Sequence, residues 1–293
     1  MKYKGFFQIV CVFIVLSWPG DVSAQDGYVA RYNSGQNLQP VYEGWSRNPD
    51  GSYFMWFGYL NRNFEERLNI PTGPNNGFGP GNEDLGQPEY FQPRRREFAF
   101  KVKLPADWPK DKDLVWTVTA YGSTLKAYGS LWPVWEIDEN TISANRMRRT
   151  AIDFDEPGNE PPSFLAVPSD QTITAGAPIT LTLRVIDDGN PKPRVNRGGG
   201  VAGITNREST PAAPPAEGEC PAGGPCLKIT WVQWRGPGTA KFSALTSLVK
   251  DGQAATIVTF DNPGVYVIRG YAEDGRAFTE KDLKVIVTGS KQY

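Results

Sequence analysis

Short runs in which apolar and polar positions alternate follow one another along most of the chain. Between Phe98 and Leu104, for example, every second residue is large and apolar. This period of two is typical of a β-strand that buries one face, so the pattern predicts an all-β protein. At most one short helix is expected, over about 139–149 with Asp138 as its N-cap. The other strand-like runs cover residues 53–59, 114–121, 124–137, 179–185, 227–234, 255–260, 265–271 and 283–287.

An aromatic run from Tyr53 to Tyr59 follows the turn sequence Asn48-Pro49-Asp50-Gly51. The turn predicts a β-hairpin, because Pro presets φ and Gly tolerates a positive φ. Alternate residues of a strand face opposite ways, so Phe54 and Trp56 share one face and their neighbours share the other. One face must be core, and the other is either covered by the chain or exposed as a platform for sugar rings. Phe54 and Trp56 are therefore candidate ligand-binding residues.

Residues 70–88 form a long segment rich in Pro, Gly and Asn. Segments of this kind are uncommon in compact domains unless they are functional or pinned to the domain. We place further candidate ligand contacts at Asn75, Asn76 and Phe78, and we expect Phe78 to hold the segment against the hairpin face just described. The alternative is that the segment is only a structural cover.

The composition changes along the chain and predicts two β-sandwiches in tandem. Residues 151–163 are acidic and rich in Pro and Gly, which is linker composition. We expect an aromatic-rich domain over 25–150 and a second domain over 164–289. The second domain contains a Gly- and Pro-rich stretch at about 189–226 that cannot bury a core and is predicted to be a disordered insertion.

Three segments of the second domain carry a family resemblance: 168–176, 231–238 and 258–266. Together they resemble immunoglobulin-like domains of the polycystic-kidney-disease (PKD) type, which occur in many bacterial surface and secreted proteins. The most specific part is the Phe-x-x-Pro-Gly-x-Tyr sequence at 260–266. The resemblance implies an immunoglobulin-like sandwich that serves as a spacer or as an adhesion or glycan-contact module. We expect the same class of sandwich for the first domain, which resembles only uncharacterised secreted bacterial proteins.

The N-terminus has the three parts of a secretory signal peptide. Lys2 and Lys4 supply positive charge, and the apolar run 6–18 is shorter than the about 20 residues that span a bilayer. Small residues at 22–24 suit the cleavage site. Residues 1–24 are therefore predicted to be a cleaved signal peptide, with an uncleaved anchor as the alternative. We expect an exported protein that is periplasmic, outer-surface-associated or secreted, with no transmembrane helix in the mature chain.

The chain contains no histidine, which excludes His-based catalytic relays and His-ligated metal centres. No catalytic motif is recognisable and no metal or cofactor is predicted, so a non-enzymatic protein is favoured. The net charge of −1 gives no electrostatic basis for nucleic-acid binding, and the run Arg94-Arg95-Arg96 is interpreted as a solvated strand end. Carboxylate-based glycoside hydrolysis remains an alternative, with Glu65-Glu66 or the acidic residues of 153–156 as the candidate acids.

Two cysteines remain outside the signal peptide, Cys220 and Cys226, and they bracket a Pro- and Gly-rich loop. In an oxidising compartment this pair most simply forms a disulfide that closes a tight loop, because a metal site would lack its other ligands. The oxygen-rich turns at Asp187-Asp188 and Asp274 either bind Ca²⁺ or are plain turns, and the plain turn is favoured.

These observations favour an exported, non-enzymatic binding or structural protein of the bacterial cell envelope, whose partner is a protein or a glycan. The alternative is a carbohydrate-binding module or a carboxylate-based glycosidase centred on the first domain. An exposed row of aromatic rings would favour the glycan hypothesis, and a pair of facing acids in a cleft would favour the enzyme.

We expect the mature protein to begin at Gln25, because signal peptidase cleaves after small residues such as Ala24. N-terminal sequencing of the protein recovered outside the cytoplasm measures this directly. A chain that starts at Met1 and stays in the membrane would contradict the prediction.

Overall fold

The computed structural model describes residues 31–81, 83–146, 158–166, 169–190 and 226–289. From Tyr32 onward they belong to one compact unit. The elements of its first half are β1 (Leu38–Arg47), β2 (Tyr53–Asn61), β3 (Leu68–Asn69), β4 (Asn76–Phe78), β5 (Tyr90–Phe91), β6 (Arg94–Leu104), β7 (Leu114–Ala120), β8 (Ser123–Gly129), a 3-10 helix (Pro133–Trp135) and α1 (Glu139–Arg146). The elements of its second half are β9 (Ser163–Ala166), β10 (Gln171–Thr174), β11 (Pro178–Ile186), β12 (Lys228–Arg235), β13 (Ala240–Phe242), β14 (Thr246–Leu248), β15 (Gln253–Phe260), β16 (Gly264–Glu273) and β17 (Phe278–Thr288).

These elements confirm the predicted all-β fold of two sandwiches with one short helix. Asp138 caps α1 as expected: its Oδ1 accepts hydrogen bonds from the Thr141 amide at 2.8 Å and from the Thr141 hydroxyl at 2.7 Å. The end of the predicted helix, 147–149, lies outside the described residues. No helix in the part that the structure describes is long and apolar enough to cross a membrane.

The first sandwich packs the sheet β1-β2-β6 against the sheet β4-β7-β8, with the ribbon β3-β5 at one end. β1 and β2 form the predicted hairpin, whose turn contains Gly51 at φ +82°. The predicted alternation in β2 is also confirmed, because Tyr53, Met55, Phe57 and Tyr59 all face the core. Trp116 lies at the centre of that core, and Phe57, Phe78, Phe91 and Phe100 surround it.

The second sandwich packs the sheet β10-β17-β16-β12-β14 against the sheet β13-β15-β11-β9. β10 runs parallel to β17, whereas the other strand pairs of this sandwich are antiparallel. Trp231 on β12 is buried between the sheets, as the tryptophan of immunoglobulin domains is. The topology and the buried tryptophan are those of an immunoglobulin-like sandwich.

The Phe-x-x-Pro-Gly-x-Tyr sequence forms the corner that leads into β16. The Tyr266 hydroxyl donates to the Asn262 carbonyl at 2.9 Å, which is the tyrosine corner of immunoglobulin-like folds. The Phe260 and Tyr266 rings lie 4.5 Å apart. Gly264 adopts φ +145°, and a Cβ there would lie 2.4 Å from the Pro237 side chain. Only glycine fits at this position, which explains the specificity of the motif.

Trp234 joins the two sandwiches. Alternate residues of a strand face opposite ways, so Trp234 points away from the interior side of β12 that carries Trp231 and enters the core of the first sandwich. A β-bulge lies at this point, between Gln233 and Arg235. Its indole lies 6.2 Å from the Phe100 ring and donates to the Gly86 carbonyl at 3.1 Å. The Arg269 guanidinium covers the other side of the indole at 3.7 Å from the ring centroid. The first core is therefore completed by a residue of the second sandwich.

Polar contacts surround this joint. Both terminal nitrogens of Arg235 donate to the Asp84 carboxylate at 2.7 Å, which holds the pKa of Asp84 below its ordinary value. Asn69 donates to the Gly236 carbonyl at 2.8 Å, and the buried Tyr271 hydroxyl donates to the Ala99 carbonyl at 3.0 Å. With hydrogen bonds on several sides of Trp234, the two sandwiches hold a fixed mutual arrangement.

Parts of the predicted division of the chain lie outside the described residues. These are the whole signal peptide (1–24), the start of the first domain (25–30), residues 151–157 of the linker, and residues 191–225 of the insertion. The limits of the domains and the disorder of the insertion stay predictions.

We expect Trp234→Ala to lower the free energy of unfolding by about 3–5 kcal/mol, because it leaves a cavity in the first core and removes the joint. Trp132→Ala is the matched control, since the Trp132 side chain is 62% exposed, and we expect a change within about 1 kcal/mol. Urea unfolding followed by tryptophan fluorescence and by circular dichroism measures both. Equal losses in the two variants would contradict the role of Trp234.

Candidate functional site

Phe54 and Trp56 do not form an open platform. Trp56 is 3% exposed and packs with Phe98, with Ile142 of α1 and with Phe278 of the second sandwich. Phe54 is half-buried at the edge of the same cluster, with the Lys101 ammonium 4.8 Å from its ring centroid. The covering therefore comes from α1 and the second sandwich. The segment 70–88 does not provide it, which corrects that part of the sequence prediction.

The ligand role predicted for Asn76 and Phe78 does not fit their positions, because both side chains are fully buried. Asn76 Nδ2 donates to the Ile70 and Pro88 carbonyls at 2.9 and 2.7 Å, and its Oδ1 accepts from the Trp116 indole at 3.0 Å. Phe78 stacks on Trp116 as part of β4. The segment 70–88 is thus a structural part of the sandwich, and only Asn75 among these three residues has an exposed side chain.

The remaining sequence candidates are structural where they are described. The carboxylates of the Asp187, Asp188 and Asp274 turns each accept backbone amides two residues further on, the plain-turn arrangement. Among the described residues, no group of three or more Cys, Asp or Glu side chains is placed to hold a metal ion. Cys226 is described but Cys220 lies outside the described residues, so the disulfide stays a prediction.

Glu65 and Glu66, the candidate acids for glycoside hydrolysis, bind the start of the described chain. Glu65 accepts from the Asn33 amide group at 2.9 Å, and Glu66 accepts from the Gly35 amide at 2.7 Å and from the Tyr121 hydroxyl. The acids at 153–156 lie outside the described residues. The hydrogen bonds of Glu65 and Glu66 serve to hold the chain between β2 and β3 against residues 33–35.

A cleft of about 730 Å³ lies where the two sandwiches meet. The first sandwich lines it with Arg67 and with residues from β5 and β6, between Tyr90 and Ala99. The second sandwich contributes Thr230–Trp234 of β12, and part of β13 and β16. Both sandwiches are needed to form the cleft, and the Trp234 joint fixes the distance between its walls.

The floor of the cleft is formed by tyrosines whose hydroxyl groups contact a backbone amide or a threonine hydroxyl. The Tyr59 hydroxyl accepts from the Gln92 amide at 3.0 Å, and the Tyr90 hydroxyl lies 3.1 Å from the Thr239 hydroxyl. Burial raises the pKa of Tyr59, and the nearby Arg96 only partly opposes this shift. The Tyr59 phenol therefore stays protonated and neutral below a cleft whose rim is charged.

The rim carries Arg67, Arg95, Arg96 and Lys241. Arg95 binds Glu43 at 2.6 Å, and Lys241 binds Asp261 at 2.6 Å. Burial raises the pKa of Glu43, while the Arg95 guanidinium opposes that shift.

The other two rim cations, Arg67 and Arg96, are not paired with a carboxylate of the described residues. Arg67 donates through Nε to the Gln92 side chain at 3.3 Å, and in the part of the chain that is described neither Arg67 nor Arg96 has a carboxylate at ion-pair distance. This site is not predictable from the arginine run 94–96 alone, because such a run is equally typical of a solvated strand end. The opposite wall is contributed by residues more than a hundred positions away.

No family model and no curated protein matches the chain. Among solved structures, the chain is similar to a chimeric titin Z1Z2 functionalised with a peptide from decorin, with 12% identity, 45% of this chain and 99% of that chain covered, and a TM-score of 0.25. It is also similar to domains 4 and 5 of the S-layer protein SbsC, with 11% identity, 59% and 65% covered, and a TM-score of 0.25. A conjugative transposon lipoprotein from Bacteroides eggerthii matches with 11% identity, 42% and 93% covered, and a TM-score of 0.22.

We expect Asn76→Ala to lower the free energy of unfolding by at least about 2 kcal/mol, because it leaves buried carbonyls and the Trp116 indole without partners. Asn75→Ala is the matched control, with an expected change within about 0.5 kcal/mol because its side chain is exposed. Urea unfolding of the two variants tests this. If Asn76→Ala were as stable as Asn75→Ala, the segment 70–88 would not be structural.

Proposed function

We propose that this chain is an exported, non-enzymatic binding protein of the bacterial cell envelope, and that the cleft between its sandwiches is the ligand site. The observation that carries the proposal is a concave, polar site built by two sandwiches whose arrangement the Trp234 side chain fixes. Ligand sites are concave, few per protein and preferentially placed at domain interfaces, and 730 Å³ lies within their usual range of about 300–1,000 Å³.

A fixed joint distinguishes a binding protein from a simple spacer. Domains that only separate other parts of a chain are expected to move relative to one another unless their interface is large and apolar. Here Trp234 is inserted in the first core, and the Arg235–Asp84 pair and the Tyr271 hydroxyl bind on either side of it. A pre-formed site lowers the entropy that a ligand must lose on binding, which is a benefit that a spacer would not need.

The absence of histidine and the contacts of Glu273 favour binding over hydrolysis. Glu273, which lines the cleft, lies 3.7 Å from the Lys228 ammonium and accepts from the Thr230 hydroxyl at 3.4 Å. Glycoside hydrolysis requires two carboxyl groups placed on either side of the scissile bond, whereas Glu273 is held by the Lys228 ammonium and the Thr230 hydroxyl. Glu273 is thus better suited to accept hydrogen bonds from a ligand.

Export and the PKD type belong to the same proposal. Export is supported by the three-part N-terminus, with its apolar run at 6–18 and small residues at 22–24. The PKD type of the second sandwich is supported by the Phe260–Tyr266 corner, in which Gly264 and the Tyr266 hydroxyl have defined structural roles.

The cleft can be blocked without disturbing the core. Leu245 lines it and is 61% exposed, so Leu245→Trp adds bulk within the site at little cost in stability. Leu165→Trp is the matched control, because Leu165 is 53% exposed on β9 and does not line the cleft. We expect the mature wild-type chain and Leu165→Trp to retain glycans or proteins from solubilised bacterial envelopes, and Leu245→Trp to retain at least about tenfold less.

Melting temperatures of the three proteins are measured in parallel to establish that all are folded. Equal retention by Leu245→Trp and Leu165→Trp would place binding outside the cleft and contradict the proposal. No retention by the wild-type chain would contradict it as well, in favour of a purely structural role.

A further inference from the structure

Arg67 and Arg96 line the same cleft without a carboxylate at ion-pair distance in the described part of the chain. The two other rim cations, Arg95 and Lys241, already bind Glu43 and Asp261. Arg67 uses Nε for Gln92, which orients its guanidinium and leaves the two terminal nitrogens as donors. Guanidinium groups bind planar anions such as carboxylates in a bidentate manner. The cleft therefore has a place for a carboxylate.

The other polar groups of the cleft limit how much negative charge its ligand can carry. Glu97 and Glu273 line the same cleft and would repel a densely charged polyanion. The same carboxylates readily accept hydrogen bonds from hydroxyl groups, and the Gln92 side chain offers an amide beside them. This combination fits a ligand that has a carboxylate on one side and hydroxyls on the others.

The backbone of β12 argues against an extended peptide. A peptide that binds to the edge of a sheet needs consecutive free backbone groups. On this strand the Trp231 amide already donates to the Leu245 carbonyl at 2.8 Å, and the Trp234 carbonyl accepts from the Glu89 amide at 3.0 Å. The stretch between these two contacts is too short for a paired strand, so side chains must provide the recognition.

We infer, building on the proposed function, that the cleft binds a short acidic oligosaccharide. A uronic-acid carboxylate lies between Arg67 and Arg96, and sugar hydroxyls are bound by Gln92, Glu97 and Glu273. The Tyr59 and Tyr90 side chains are buried and close the bottom of the cleft, so the polar side chains above them provide the recognition.

Isothermal titration calorimetry with tetramers of galacturonic, glucuronic and mannuronic acid tests the inference on the mature chain. We expect at least one uronate tetramer to bind, its methyl ester to bind about tenfold more weakly or worse, and the affinity to fall with added salt. The double variant Arg67→Gln/Arg96→Gln should lose about tenfold or more in affinity. Arg62→Gln should bind like the wild type, because Arg62 is exposed and lies outside the cleft.

The inference would be overturned by equal binding of the methyl ester, by equal binding of a glutamate pentapeptide, or by an affinity that Arg62→Gln lowers as much as the double variant. Failure of every uronate tetramer to bind would also reject it. That failure would not decide the proposed function. The retention of envelope material by the wild type and by Leu245→Trp tests it separately.

Discussion

The indole of Trp234 lies among the aromatic rings of the first sandwich, although its backbone belongs to the five-stranded sheet of the second. Strand alternation makes this possible, because Trp231 and Gln233 face the inside of their own sandwich and Trp234 faces the opposite way. The insertion buries a large ring, gives the indole a hydrogen bond and places a guanidinium over the ring. The two sandwiches therefore share one aromatic side chain.

The cleft lies beside that joint. Trp234 itself lines it, together with side chains from β6, β12 and β16. Near the ring, charges are paired, as for Arg235 with Asp84 and Arg269 with Asp282. Desolvation makes unpaired charge costly at such positions. At the rim, Arg67 and Arg96 remain in contact with water, where no such cost applies. Arg95 and Lys241 at the same rim are paired with Glu43 and Asp261, so Arg67 and Arg96 are distinguished by their lack of a carboxylate among the described residues.

Local patterns predicted those parts of the fold that depend on residues close in sequence. The β1–β2 turn, the shared face of Tyr53 to Tyr59 and the Asp138 cap involve neighbours a few residues apart, and all are confirmed. The buried, structural role of Asn76 was not predicted, because its partners Pro88 and Trp116 are not its neighbours in sequence and leave no periodic pattern around it. The cleft was missed for the same reason on a larger scale, since its walls come from positions such as Arg96 and Thr230. Phe54 and Trp56 lie on the same face of one strand, which suggested an exposed binding surface. Phe278, which is far away in sequence, covers that face.

The insertion of Trp234 into the first core also has a consequence for the order in which the chain acquires its structure. The strands of the first sandwich are synthesised before Trp234, and until that residue is added the Phe100 ring lacks one of its aromatic neighbours. During this interval the nascent first half exposes aromatic surface and is open to association with other chains. The two sandwiches are thus not independent domains, because the core of the first contains a side chain of the second. A gene fragment that ends before β12 encodes all strands of the first sandwich but lacks a ring of its interior.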